Sequence, residues 1–126
     1  MKQSKFSIRK RIKSFSYAFN GLRLLIKEEH NAWIHLLATI CVIIFGFVLS
    51  LSPLEWIAVI FAIGFVFAME AINSSIERIA DFISPERHDM IKQIKDISAA
   101  AVLIAALTAL IVGLLVFVPK MINIFQ

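Results

Sequence analysis

The stretch Glu70-Ala-Ile-Asn73-Ser-Ser-Ile-Glu77 directly follows 14 residues without a charge, 56–69. Such an uncharged run is typical of a membrane-spanning helix, in which a carboxylate such as Glu70 is costly and indicates a functional role. At about 100° per residue, four side chains fall within roughly 80° of one another on a helix: Glu70, Asn73, Glu77 and Asp81. The sequence therefore predicts one helical face of carboxylates and an amide, which are groups that bind metal ions and phosphate.

The composition of the chain is that of a membrane protein. Of its 126 residues, 60% are hydrophobic and 17% are charged, which predicts one all-α membrane domain over 1–126 rather than a soluble core. Eight of the 13 Lys and Arg residues lie in the first 27 positions, next to apolar runs. This basic arm suits anionic lipid headgroups, and no nucleic-acid partner is expected. The single cysteine, Cys41, indicates neither a disulfide nor a metal site.

The spacing of the apolar residues predicts four helices. Near the N-terminus they recur at steps of three and four with basic residues between them, which predicts an amphipathic helix at 1–30 that lies in the membrane surface. Uncharged runs predict transmembrane helices at 33–51 and 95–118, and a further one at 53–83 that is longer than a membrane is thick. Glu70 is then expected near the point where this second span leaves the hydrocarbon.

The connection between the first two spans is short and contains helix-start residues. Ser52 can cap, Pro53 suits the first helical position, and Glu55 completes a capping box. The connection 50–55 has no Lys or Arg, whereas the N-terminal arm has eight and 78–95 has four. The positive-inside rule therefore predicts that the N-terminus and the loop after the second span are cytoplasmic. Five side chains are expected to meet at this interface: Glu29, Glu70, Glu77, Lys95 and Asp96.

These residue types suit phosphoryl transfer. Mg²⁺ prefers oxygen ligands and keeps several waters, so Glu29 and Glu77 can hold it together with substrate phosphates. A partly desolvated carboxylate such as Glu70 suits a general base, and Lys95 can neutralise phosphate charge. The four glycines are far apart in the sequence, which excludes a P-loop and a glycine-rich kinase loop.

The order of these residues resembles the bacterial integral-membrane diacylglycerol kinase family, which includes undecaprenol kinase. The resemblance covers nearly the whole chain. In that family the second span carries a glutamate, an asparagine three residues later and a glutamate seven residues later, here Glu70, Asn73 and Glu77. A Lys-Asp pair, here Lys95-Asp96, then precedes the alanine-rich segment 99–102 of the third span.

The resemblance implies an ATP- and Mg²⁺-dependent kinase that phosphorylates a membrane lipid alcohol, diacylglycerol or undecaprenol, in the bacterial cytoplasmic membrane. It also implies a homotrimer whose active sites are shared between neighbouring subunits. By the same resemblance, Glu70 is the catalytic base, and Glu29 and Glu77 are the metal ligands. The residues implied in nucleotide binding are of two kinds, those that hold the phosphates (Asn73, Lys95 and Asp96) and those near the adenosine end (Tyr17, Glu86 and His88).

The chain departs from the family pattern at a few positions. Ser75 stands where a small apolar residue is usual and Ser98 where glycine is common, and neither is expected to touch the chemistry. His35 stands where the diacylglycerol-preferring branch tends to have a carboxylate. The segment Glu29-His-Asn-Ala-Trp-Ile-His35 is therefore more similar to the undecaprenol-phosphorylating branch, which favours undecaprenol slightly as the lipid substrate.

Other interpretations of the same residues stay open. An intramembrane glutamate is also typical of a small proton-coupled transporter or of a non-catalytic membrane subunit. Glu77 and Asp81 can equally be solvated where the helix leaves the membrane, and His35 can line the lipid site. Lys95-Asp96 can be a helix-start pair only.

Close approach of a neighbouring helix is expected on a strip of small residues in the third span: Ala101, Ala105, Ala109 and Gly113.

Overall fold

A computed structural model describes residues 5–86 and 88–126. The described chain folds into four α-helices: α1 (Ile8–Glu28), α2 (His30–Val48), α3 (Pro53–Ile83) and α4 (Asp89–Ile124). The all-α prediction is therefore confirmed for the described residues. Residues 1–4 of the predicted surface helix, and Arg87 in the loop after α3, lie outside them.

Three of the helices are long and apolar enough to cross a membrane, namely α2, α3 and α4. Many of their large apolar side chains point outward; Phe61 is 74% exposed and Leu115 is 72% exposed. A soluble protein rarely exposes contiguous apolar surface on this scale, whereas lipid tails solvate it without cost. The fold is therefore that of an integral membrane protein.

The first membrane-length helix was predicted at 33–51 but runs from His30 to Val48. It ends in a Schellman motif, in which the Leu51 N–H donates to the Gly46 carbonyl and the Ser50 N–H donates to the Phe47 carbonyl. Ser50 has a φ of 55°, the left-handed conformation that this motif requires. Hydropathy does not detect this stop, because the residues after it remain apolar.

The second membrane-length helix, α3, has the predicted bounds of 53–83. The Ser52 hydroxyl accepts a hydrogen bond from the Glu55 N–H, and the Glu55 carboxylate accepts one from the Ser52 N–H. Pro53 occupies the first turn, where its missing N–H costs no hydrogen bond. The predicted capping box is therefore present.

The last helix, α4, is longer than the predicted span of 95–118. It begins at Asp89 because the His88 ring caps it, accepting a hydrogen bond from the Met90 N–H. It then continues through Pro119 to Ile124. Hydropathy marks only the apolar part of a helix, so the prediction missed the polar turns at both ends.

α3 and α4 pack side by side in opposite directions and make most of the contacts between helices. Ala105, on the predicted strip of small residues, is fully buried within the chain. At the end near the α2–α3 turn, Leu51, Val59 and Val116 form a small core. α1 contacts both α2 and α3. These contacts bring the junction of α1 and α2 next to the polar half of α3.

Candidate active site

Among the described residues, Glu70 is the carboxylate that is buried, with 3% of its surface exposed. Its Oε1 lies 2.8 Å from Nε2 of His35, which comes from the second turn of α2. The ring of His35 also meets the ring of Phe67 edge-on, with centroids 6.4 Å apart. The predicted catalytic base is therefore held by a residue of another helix, and this pairing was not predicted from the sequence.

Glu29 lies at the junction of α1 and α2, where the chain is extended for one residue. Its Oε1 accepts a hydrogen bond of 2.8 Å from the Ser74 hydroxyl, and Ser74 is buried. Ser74 follows Glu70 by one helical turn, so Ser74 and Glu70 lie on the same face of α3. The structure thus brings Glu29 and Glu70 to one region, as predicted.

Asn73 faces α4 instead of α1 and α2. Its Oδ1 accepts a hydrogen bond of 2.6 Å from the Ser98 hydroxyl, which is buried. Ser98 was expected not to touch the proposed chemistry; the structure shows that it bonds Asn73, whose role in phosphate binding stays a prediction. A glycine at position 98 would leave the Asn73 carbonyl oxygen without this donor. Ser75 is exposed and its hydroxyl bonds only within α3, to the Ala71 carbonyl.

The Lys95 ammonium is joined to α3 through Asp81, and Glu77 is near enough to attract it electrostatically. Asp81 is 62% exposed, so it is both solvated and paired with Lys95. Asp96 forms an ion pair with Lys92 one turn earlier, and both side chains are exposed. Lys95 therefore pairs with Asp81 within electrostatic range of Glu77, whereas Asp96 pairs with Lys92.

The three residues predicted at the adenosine end are not bonded to the other predicted site residues. Tyr17 is 71% exposed on α1, and Glu86 is exposed in the loop after α3. His88 caps α4 through its ring. No hydrogen bond within residues 5–86 and 88–126 joins these three side chains to Glu70, Asn73 or Glu29. Their assignment to the adenosine end stays a prediction.

The predicted metal ligands, Glu29 and Glu77, come from different elements. In the part of the chain that the structure describes, no group of three or more His, Cys, Asp and Glu side chains is arranged to hold a metal ion. A site made by two carboxylates and the phosphates of a nucleotide needs no third protein ligand. The oxygen donors present are those that Mg²⁺ prefers, and the roles of Glu29 and Glu77 stay predictions.

An apolar groove of about 340 Å³ lies between α2, α3 and α4. His35 and Thr39 are its polar lining residues on α2, and small side chains such as Ala62 and Ala109 keep it open. Val66 and Phe67 line it one turn before Glu70. The groove therefore leads along the membrane-length helices toward the His35–Glu70 pair.

Sequence reasoning missed some of the polar contacts of the site. Ser74 lies one turn after Glu70, so helical periodicity could have added it to the polar face. The ion pair between Glu28 and Arg78, 2.6 Å long, joins α1 to α3 and had no signal in the sequence. We use the name polar cluster for the side chains that bond across helices in the less exposed part of this region: Glu29, His35, Glu70, Asn73, Ser74 and Ser98.

Three membrane-length helices that carry a buried carboxylate and a polar cluster define a membrane protein with a polar site between its helices. Residues 16–117 match the Prokaryotic diacylglycerol kinase family. This match covers most of the chain, and the chain therefore belongs to the prokaryotic diacylglycerol kinase family. It is a lipid kinase by class, as predicted from the order of its polar residues.

Individual relatives agree with this assignment. The chain is 38% identical over 109 residues to an undecaprenol kinase of Bacillus subtilis (strain 168), covering 86% of this chain and 89% of that protein. It is 35% identical over 95 residues to a diacylglycerol kinase of Haemophilus influenzae, covering 75% and 80%. It is 30% identical over 100 residues to a diacylglycerol kinase of Escherichia coli (strain K12), covering 79% and 82%.

Proposed function

We propose that this chain transfers the γ-phosphate of ATP, with Mg²⁺, to the hydroxyl group of a membrane lipid alcohol, and that the alcohol is undecaprenol rather than diacylglycerol. The observation that carries the proposal is the buried Glu70, hydrogen-bonded to His35 at the end of an apolar groove, in a member of this kinase family. A lipid chain can occupy such a groove while its hydroxyl meets the carboxylate.

In the proposed reaction Glu70 is the general base. The lipid O–H proton passes to the Glu70 carboxylate, the hydroxyl oxygen bonds to the γ-phosphorus, and the bond from that phosphorus to the ADP oxygen breaks. Positioning and charge neutralisation carry most of the catalysis in phosphoryl transfer. The burial of Glu70 supports this role, because a desolvated carboxylate beside an apolar path can receive a proton without competing solvent.

The other predicted residues take roles around the nucleotide. Lys95 neutralises phosphate charge, Asn73 and Asp96 orient the phosphates, and Glu29 and Glu77 are the carboxylates that would hold Mg²⁺. When bound, Mg²⁺ supplies charge neutralisation at the phosphate oxygens. The hydrogen bond from Ser74 to Glu29 and the nearness of Lys95 to Glu77 support these roles. The predicted contacts at the adenosine end belong to more exposed residues: Tyr17, Glu86 and His88.

The preference for undecaprenol rests on two observations. The relative from Bacillus subtilis is named an undecaprenol kinase and shares 38% identity with this chain. His35, at a position where the diacylglycerol-preferring branch tends to have a carboxylate, lines the groove and bonds Glu70. A residue at the junction of the lipid path and the base is well situated to affect which alcohol is phosphorylated.

The proposal includes an arrangement in the membrane. Glu70 follows Pro53 by about 26 Å along α3, at 1.5 Å per residue, and the hydrocarbon core is about 30 Å thick. If the α2–α3 turn lies at one surface, Glu70 lies near the other, which the basic loops make cytoplasmic. The proposed enzyme is a homotrimer in the bacterial cytoplasmic membrane, with α1 on the cytoplasmic surface.

The strip of small residues on α4 does not support the proposed trimer, because Ala105 of this strip is buried within the chain itself.

The test is a phosphoryl-transfer assay with purified protein in bilayers and [γ-³²P]ATP, with diacylglycerol and undecaprenol offered in parallel. We expect labelled undecaprenyl phosphate from the wild type in the presence of Mg²⁺, and a rate of labelling that is lower by roughly 10²- to 10⁴-fold from Glu70→Gln. Label on diacylglycerol alone would overturn the proposed substrate and keep the kinase. No label on either lipid, in protein shown to be folded, would overturn the kinase proposal itself.

A further inference from the structure

The carboxylate of Glu70 has one side-chain partner from another helix among the described residues. Nε2 of His35 lies 2.8 Å from its Oε1. An ionised carboxylate only accepts hydrogen bonds, so the imidazole must carry a proton on Nε2 in order to donate. His35 is therefore the group on α2 that holds one oxygen of Glu70 in place.

The second oxygen of Glu70 is in a different position. In residues 5–86 and 88–126, every buried side-chain nitrogen and oxygen has a hydrogen-bond partner. No hydrogen bond among those residues reaches Oε2 of Glu70, although Glu70 as a whole is only 3% exposed. One oxygen of the carboxylate is thus held by His35, while the other has no partner among the described residues.

The imidazole of His35 has a second contact with α3. The Phe67 ring, one turn before Glu70 on α3, meets the imidazole edge-on at an interplanar angle of 72°. The imidazole therefore contacts two successive turns of α3, through Phe67 and through Glu70.

We propose that His35 is a positioning residue of the kinase reaction: its Nε2–H holds Oε1 of Glu70 and so fixes the orientation of the carboxylate, whose Oε2 takes the proton of the lipid hydroxyl. This inference rests on the proposed function. During the transfer the lipid proton passes to Oε2, the lipid oxygen bonds to the γ-phosphorus as ADP leaves, and His35 keeps its own proton. A carboxylate without this donor is free to rotate, and misplacement of a reacting group by about 1 Å can cost roughly 10²-fold in rate.

The test compares His35→Leu, which keeps most of the volume and removes the donor, with His35→Gln, whose amide can bring an N–H near the position of Nε2. Steady-state transfer from ATP to the lipid that the wild type phosphorylates is measured in bilayers. We expect His35→Leu to lower kcat by roughly 10²-fold with an unchanged KM for ATP. We expect His35→Gln to keep most of the wild-type kcat. Thermal unfolding in detergent verifies that each variant is folded.

A double-mutant cycle separates positioning from a structural role. In a Glu70→Gln background, His35→Leu should cause no further loss, because a residue that acts through Glu70 has nothing left to position. Three outcomes would each overturn the positioning role: additive losses in the cycle, equal losses in His35→Leu and His35→Gln, or a wild-type kcat in folded His35→Leu. If the wild type phosphorylates a lipid but one of these outcomes is found, the proposed function stands without the positioning role. An inactive wild type overturns the proposed function itself.

Discussion

The two ends of α3 both carry polar side chains, but these side chains bond in different ways. At the turn end, residues 50–59, most of them bond backbone groups that the ends of helices leave unpaired. Lys120 of α4 donates there to the Ser50 carbonyl and also forms an ion pair of 3.1 Å with Glu55. At the cluster end, residues 70–81, side chains bond side chains from other helices. The first pattern closes a turn, whereas the second brings chemical groups together.

This difference separates structural from functional polarity in one helix. Most side-chain hydrogen bonds in proteins go to the backbone or to water, and few join two side chains. At the turn end the side chains of Ser52 and Glu55 follow that rule by completing a capping box, although Glu55 also pairs with Lys120. The cluster end departs from it although burying a carboxylate is costly. We infer that the turn end serves stability and the cluster end serves catalysis, and the following predictions test that division.

The largest effect is expected for Glu70→Gln at the cluster end. Replacing a general base typically lowers turnover by about 10²- to 10⁴-fold, which corresponds to roughly 3–5 kcal/mol of activation free energy. The unfolding midpoint should change little, because glutamine can still accept the hydrogen bond from His35. Turnover per folded molecule measures the first quantity, and thermal unfolding in detergent measures the second. Retained turnover would place the base elsewhere.

At the turn end, Gly46→Ala should lower stability by about 1–3 kcal/mol, because overpacking forces side chains to shift. A Cβ on Gly46 would lie 2.5 Å from Cη2 of Trp56, so the indole must move. The free energy of unfolding in mixed micelles is the measurement, with Gly64→Ala as the control because its Cβ would meet no atom within 4 Å. Turnover per folded molecule should stay unchanged, and a selective loss of turnover would break the division between the two ends.

A smaller effect is expected for Ser74→Ala at the cluster end. Loss of the hydroxyl that donates to Glu29 should raise the Mg²⁺ concentration for half-maximal activity by about tenfold, as is usual for groups that orient metal ligands. Ser75→Ala is a matched control, because the neighbouring hydroxyl bonds only within α3. An Mg²⁺ titration of activity distinguishes the two variants. Equal titrations for both would argue against Glu29 as a ligand.

The smallest effect is expected for Ser50→Gly at the turn end. Ser50 adopts a φ of 55°, which is strained for a residue with a Cβ and free of strain for glycine. We expect a gain of about 0.5–1 kcal/mol in the free energy of unfolding, since glycine's extra entropy in the unfolded chain offsets part of the relief. Unfolding in mixed micelles measures the change. A loss of stability would show that the Ser50 side chain itself contributes to the turn.

Much of the fold could be predicted because its signals are local. The bounds of α3 follow from Ser52, Pro53 and the end of its pattern at residue 83, whereas α2 was predicted three residues too far along at both ends. The early stop of α2 depends on a backbone conformation of Ser50 that residue types alone do not indicate. Glycine, which usually marks such a stop, is absent at that position.

The sequence predicted which residues of α3 belong to the candidate site but not their hydrogen-bond partners. Glu70, Asn73 and Glu77 share a face by helical periodicity, and the predicted polar stripe is present. In the structure that stripe divides: Glu70 bonds α2, whereas Asn73 bonds α4. Which side each residue takes depends on how α3 is rotated against its neighbours, and one helix in isolation carries no such information.

By itself, the sequence determined four helices, the membrane class and the set of polar residues on α3, because hydropathy, caps and periodicity act over a few neighbouring residues. Only the tertiary structure decided the partners of those residues. The pairs His35–Glu70, Glu29–Ser74 and Asn73–Ser98 join residues that are 35, 45 and 25 positions apart. Such pairs form when helix packing brings particular turns together, and packing is a property of the whole bundle.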